Sequence, residues 1–180
     1  SNLPSLNTIE ATFNYSLSNI NLNGSTNLIN CIVTENNLST LDVSGLVNLK
    51  VLNVGDQSSF TNIDLSTNSS LEEFHAYFTS LAQADFTNNP LLNNITLAWN
   101  PQISSVDLRN GNNTNIAGFN ASSCPNLFCI SVSDTAYMNS NLNNFIMIDS
   151  HTIFSDDCSL AASCSIDSVA IAVGTCNAVT

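Results

Sequence analysis

The stretch LSTLDVSGLVN (Leu38–Asn48), continued by LKVLNVGDQSS (Leu49–Ser59) and FTNIDLSTNSS (Phe60–Ser70), decides the fold. Each of these eleven-residue segments carries apolar side chains at positions one, four and six. Positions four and six follow the period of two of an extended strand and share one face, while positions three and five point the other way. The frame runs back through Leu28, Leu17 and Leu6. It runs on through Leu71, Leu81, Leu92, Ile103, Ile116 and Leu127, giving about twelve units of mostly ten or eleven residues. The strands of an ordinary β-sandwich keep no such common spacing, so the pattern marks a repeat architecture.

One unit is too short to close a coil, but two make a turn of 21–22 residues, the length of a short leucine-rich repeat. The sequence therefore predicts a mainly β leucine-rich-repeat solenoid of about six turns, each made of two strand-bearing halves. At roughly 4.8 Å per turn the stack is about 29 Å long. The halves differ at position five. One is mixed (Glu10, Ile32, Asn53, His75, Thr96), and the other carries an acid or amide (Asn21, Asp42, Asp64, Asp85, Asp107). Position nine is often asparagine: Asn14, Asn36, Asn68, Asn89 and Asn100. An inward amide at a coil corner bonds backbone groups left free where a strand ends, so stacked turns give an asparagine ladder.

Composition narrows the function. Among 180 residues, 43% are hydrophobic and 9% charged, which is not the balance of a disordered chain. Two basic residues, Lys50 and Arg109, stand against 14 acids, for a net charge of −12. Such a surface repels phosphate backbones and anionic membranes, so nucleic acid is not an expected partner. No apolar run reaches the 18 or so residues that span a bilayer, and membrane insertion is not expected. No basic segment with an apolar stretch opens the chain, and its abrupt start suggests an excision from something longer. The six cysteines lack the paired spacings of zinc sites, and five lie in the last third. Clustered cysteines in an acidic chain with almost no lysine point to disulfides and to an extracellular or cell-surface location.

Catalytic patterns are absent from the sequence: there is no nucleophile elbow, phosphate loop or paired-histidine metal motif. His75 shares a strand face with Glu73 and Tyr77, but its expected neighbours Asn53 and Thr96 are not an obvious nucleophile or metal ligand, and a non-catalytic role is expected. The mixed half is the better binding face, with Asn30, Ile32, Asn53, Glu73, His75, Tyr77, Asn94, Thr96 and Trp99 as candidate contacts. Amides, hydroxyls and a few aromatics suit a protein or polysaccharide surface. The column Asp42, Asp64, Asp85, Asp107 stacks like charges, which is unfavourable unless relieved. Hydrogen bonds from Ser44, Ser66 and Thr87 or from backbone amides, solvation, or bridging calcium would each relieve it. No other cofactor is expected.

The units at Leu38 and Phe60 resemble the L-T-x-L-D-V-S repeats of bacterial leucine-rich-repeat proteins. Three later stretches look like the terminal repeats and C-terminal cap of secreted Bacteroidetes (flavobacterial) surface proteins. They are Asp107–Ile116 (DLRNGNNTNI), Cys124–Ile130 (CPNLFCI) and Ser155–Cys158 (SDDC). The resemblance covers roughly residues 5–160. It implies export by the type IX route and attachment within a large multidomain protein. It also implies a solenoid over 1–134, a disulfide-stapled cap over 135–163, and the start of a following β module or linker over 164–180. The chain departs from the family in two places. An acidic N-terminal cap is missing, and Ser133 and Asp134 stand where an Asp pair is usual.

With the cap so placed, Cys129, at an outward third position, is assigned to Cys158, and Cys164 to Cys176 as a hairpin staple. Cys31 and Cys124 fall on inward positions and are read as buried free thiols. The triplets Asp134-Thr135-Ala136 and Asp167-Ser168-Val169 resemble a Bacteroidetes O-glycosylation motif, making Thr135 and Ser168 candidate glycosylation sites. The expected function is a non-catalytic extracellular recognition or adhesion module. The alternative is a structural spacer or subunit-contact module of a large surface protein or filament.

Overall fold

A computed structural model of the chain describes residues 3–142 and 144–159. The mixed halves supply β1 (Thr8–Glu10), β2 (Asn30–Ile32), β3 (Val51–Asn53), β4 (Glu73–His75), β6 (Asn94–Thr96) and β8 (Gly118–Ala121). Together with β10 (Ile146–Ile148) they form one parallel seven-stranded sheet in that order. The other halves supply β5 (Gln83–Asp85), β7 (Ser105–Leu108) and β9 (Cys129–Val132). These form a second parallel sheet, closed at its end by β11 (Ile153–Ser155). The chain is a leucine-rich-repeat solenoid, mainly β, of about seven turns.

Two expectations need adjusting. The turn count rises from six to about seven because β10 and β11, within the segment assigned to the cap, continue both sheets: Ile146 pairs with Phe119, and Ile153 with Cys129. Nor is every half a strand. The halves opening at Leu17, Leu38 and Phe60 carry no strand and form no ladder. Single inter-turn bonds such as Thr61 N to Ser39 O (3.1 Å) hold them instead. Strand pairing on that side builds from the end where a disulfide pins β9.

The leucine frame explains the core. Position four of successive mixed halves stacks Ile9, Cys31, Leu52, Phe74, Ile95 and Phe119 in register. Positions one and six flank that column, and Leu28, Leu49, Leu71 and Leu92 are fully buried. Each such leucine is worth about 1.5–3 kcal/mol on burial. Across the core Phe74 meets Phe86 edge to face at 5.4 Å. At the far end the helix α1 (Thr135–Ser140) lays Met138 on the core, its first turn capped by Asp134 Oδ1, which accepts from Tyr137 N at 2.8 Å.

Corners are held from inside by two ladders rather than one. Behind the mixed halves stand Asn36, Gln57, Thr79, Asn100 and Cys124. Asn36 Nδ2 donates to Ala11 O and Val33 O, Gln57 Nε2 to Val33 O and Val54 O, and Asn100 Nδ2 to Ala76 O and Leu97 O. Each side chain thus ties a turn to the one before it. Asp149 ends this ladder by accepting from Ser123 N and Cys124 N. Behind the acidic halves stand Asn68, Asn89 and Asn113. Asn14, expected to point inward, is exposed, with no described turn stacked over it, and its side-chain amide bonds Thr12 O locally.

The cysteine assignments can be placed directly. Cys129 is bridged to Cys158 across a Cα separation of 5.7 Å, while Cys31 and Cys124 are free and buried. Cys129 is itself buried, although its position is an outward one, because the bridge and the residues around Cys158 cover it. Cys164, Cys176, Ser168 and the expected following module lie outside the described residues.

Candidate functional site

The outward face of the seven-stranded sheet gathers most of the expected binding residues into two rows. Thr8, Asn30, Val51, Glu73, Asn94 and Gly118 align across β1, β2, β3, β4, β6 and β8. Beside them run Glu10, Ile32, Asn53, His75, Thr96 and Asn120. Parallel pairing without a register slip sets residues 21–24 apart in sequence side by side. Most of these side chains are half-buried, since each neighbours its counterparts on adjacent turns.

His75 sits in the middle of this face. Its Nδ1 lies 3.2 Å from Thr96 Oγ1 and its Nε2 3.4 Å from Glu73 Oε2. Hydroxyl, imidazole and carboxylate in that order are the parts of a nucleophile triad. Here they lie half-buried on the open outward face of the sheet.

Tyr77 and Trp99 are not part of the rows. They stand at the corner where the mixed half turns. Tyr77 is half-buried because its ring lies on Gly55 of the preceding turn. A Cβ built on Gly55 would come within 2.6 Å of that ring. At the next residue the backbone is left-handed in every mixed half: Phe13, Glu35, Asp56, Phe78, Trp99 and Ser123 all have φ between 52° and 62°. The coil imposes this bend whichever residue stands there. Glycine adopts it freely. An L-residue pays about 1–2 kcal/mol.

Phe78 and Trp99 nonetheless occupy consecutive corners. Their rings stack with centroids 5.2 Å apart and planes 10° from parallel. They remain 49% and 54% exposed. Stacking returns about 0.5–1.5 kcal/mol, less than the combined cost of two left-handed corners. Tyr77 braces the pair with an edge contact to Phe78 at 6.3 Å. Phe78, Thr79, Trp99, Pro101 and Pro125, with Ser58, Ser80 and Ser123, line an open concavity of about 530 Å³. Trp99 was legible as a candidate from the sequence. Phe78, Pro101 and Pro125 were not, because only the coil brings them together.

The aspartate column is held locally. Asp42 Oδ1 accepts from Ser44 N, Asp64 Oδ1 from Ser66 N, and Asp85 Oδ1 from both Thr87 N and Thr87 Oγ1. Asp107 accepts from Arg109 N and pairs with the Arg109 guanidinium at 2.6 Å. Asp85 and Asp107 face each other in register, followed by Ser131. Hydrogen bonds from the Ser44 and Ser66 side chains and backbone amides hold the Asp42 and Asp64 carboxyls below the usual value. The Arg109 side chain does the same for Asp107. Among the described residues no three His, Cys, Asp or Glu side chains converge as a metal-holding group. Thr135 is half-buried at the first turn of α1. No helix of the described residues is long and apolar enough to cross a membrane.

No protein-family profile and no curated protein matches the sequence. Among solved structures, the chain is similar to the functional domain of InlJ from Listeria monocytogenes, which includes a cysteine ladder, at 18% identity and a TM-score of 0.41. The match covers 82% of this chain and 45% of that one, so this chain spans under half of its neighbour's length. Here Cys31 stacks between Ile9 and Leu52, so no cysteine ladder runs through that column.

Proposed function

We propose that this chain is a non-catalytic extracellular recognition or adhesion module that binds a protein or polysaccharide through the mixed-half side of its coil. The observation that carries this reading is the pair of in-register outward rows on the seven-stranded sheet. They present amides, hydroxyls, one imidazole and the carboxylates of Glu10 and Glu73 on a rigid surface. Rigidity lowers the entropy lost on binding, and such rows suit an extended ligand. The opposite side, with its acids tied into local turns, offers less to a partner.

Extracellular placement is supported by the Cys129–Cys158 bridge, since such bonds persist in oxidising compartments. Export by the type IX route from a Bacteroidetes-type cell, a 21–22-residue repeat family, attachment within a larger surface protein, and glycosylation at Thr135 belong to the same reading. They are supported by the sequence resemblance. The aspartate column is proposed as a hydrogen-bonded structural ladder with no calcium requirement, supported by the serine and threonine contacts of its members.

The test is binding of the labelled chain to a microarray of polysaccharides and extracellular glycoproteins, alongside the double variant Asn53→Arg/Thr96→Arg. Saturable binding by the wild type that weakens at least about tenfold in the folded variant supports the reading. Equal binding by both proteins, or none by the wild type together with end-to-end association in sedimentation, would replace it with the spacer role.

A further inference from the structure

The two stacked aromatic corners are an unusual use of sequence. At this point of every mixed half the backbone is left-handed: Glu35, Asp56 and Ser123 fill it with half-buried polar side chains, and Phe13, at the first corner, is 63% exposed and has no aromatic partner among the described residues. Phe78 and Trp99 fill it with large rings that stay about half exposed. The hydrophobic core gains little from them, and the coil would bend as well with glycine. Their placement makes sense if the rings themselves are used.

From this geometry we infer that the Phe78–Trp99 corner is a stacking platform for the pyranose ring of a neutral saccharide. The inference rests on the recognition reading above and names a ligand class and a place for it. A pyranose has a face of C–H groups and a rim of hydroxyls. The C–H face suits the electron-rich face of an aromatic ring, and the hydroxyls need polar partners around the edge. The concavity supplies both. Trp99, Phe78, Pro101 and Pro125 supply apolar surface, and Ser58, Ser80 and Ser123 supply hydroxyls. Ser80 donates its own proton to Ser58 O at 2.7 Å, which leaves its oxygen as an acceptor.

Charge and size select among ligands. None of the residues lining the concavity is charged, and the chain carries a net charge of −12, so nothing there attracts an anion. About 530 Å³ lies within the range of small-ligand sites, which is roughly 300–1,000 Å³. A stable protein partner buries about 800 Å² on each side, far more than two rings and two prolines offer. The site is open rather than enclosed, which suits one or two units of a longer chain. The strand rows continue from the corner and would meet the units beyond it.

Trp99 is the chain's one tryptophan, so its emission reports directly on the platform. The probes are soluble neutral oligosaccharides of glucose, mannose, galactose, xylose and N-acetylglucosamine, titrated into the full chain by fluorescence and by calorimetry. At least one is expected to shift the Trp99 emission saturably. Calorimetry should then show binding weakened at least about tenfold in Trp99→Gly and Phe78→Gly and kept in Trp99→Phe. Because glycine fits the left-handed corner, both glycine variants should keep or raise the melting temperature, which separates a ligand role from a structural one. Two results overturn the inference: no saturable shift with any of the five sugars, or binding that Trp99→Gly leaves unchanged. Binding lost in Asn53→Arg/Thr96→Arg but unchanged in Trp99→Gly would remove the platform and leave the recognition reading standing. Array binding lost in neither variant removes both.

Discussion

Replacing Asn100 with alanine should unlatch one turn of the coil from the next. Asn100 is fully buried. Its Nδ2 donates to Ala76 O at 2.6 Å and to Leu97 O at 2.7 Å, and its Oδ1 accepts from Thr79 N at 3.1 Å and from the Thr79 hydroxyl. The two carbonyls keep other partners, Thr79 Oγ1 and Cys124 Sγ respectively. Thr79 N keeps none of its own. A buried backbone donor left unpaired costs about 1–3 kcal/mol, and each lost amide–carbonyl bond about 1 kcal/mol more. The total is about 3–5 kcal/mol, a large part of the roughly 5–15 kcal/mol that holds a domain. For a chain of this size that lowers the melting temperature by about 10 °C. Asn14→Ala is the control: the Asn14 side chain is exposed and bonds only Thr12 O, and the backbone N–H that reaches Asn36 Oδ1 is kept in the variant, so its loss should cost under about 1 kcal/mol. Thermal melts by circular dichroism, with hydrogen exchange read at the Thr79 amide, make the comparison. Equal melting temperatures for Asn100→Ala and Asn14→Ala would show that the ladder does not hold the turns together.

Three further outcomes are expected. Reducing Cys129–Cys158, or making Cys158→Ser, opens a loop of 29 residues and should cost about 3–4 kcal/mol by chain entropy. Exchange protection at β11 should fall first, and protection lost equally in all turns would contradict a local staple. Burial pushes the Cys31 thiol from 9.0 up to about 12. Between those values the unfolded chain loses this proton and the native one keeps it, so stability should fall as pH rises above about 9. Cys31→Val should remove part of that slope, and an unchanged slope would count against the buried thiol. The depressed Asp42, Asp64 and Asp107 carboxyls work in the other direction. Their stabilisation is present above the ordinary carboxylate value of 3.8 and is lost as pH falls through their lower native values. Melting at neutral pH should be the same with EDTA as with added calcium, and a rise with calcium would install the metal the hydrogen bonds replace.

How far the sequence could be read follows from what repeats in it. The L-x-x-L-x-L frame reports local backbone period, so it determined the strand face, the inward leucines and the coil without any knowledge of contacts. The difference between Asp42 and Asn53 at the same position separated the two sides of the coil. The inward asparagines were visible as a recurring letter, but Gln57 and Thr79 were not, since they do the same work with different side chains. Asn14 carries the right letter, but its side-chain amide bonds only locally, with no described turn stacked over it. Cys129 was on an outward position and became buried only through its partner 29 residues away.

The sequence by itself determined the solenoid, because eleven-residue spacing is a local property and every unit states it again. The tertiary structure alone decided what meets across turns: the rows of the seven-stranded sheet, the continuation of both sheets through β10 and β11, and the Phe78–Trp99 stack. Those neighbours lie about one coil apart in sequence. Nothing in either segment encodes the other; the left-handed corner, repeated once per turn, places them together.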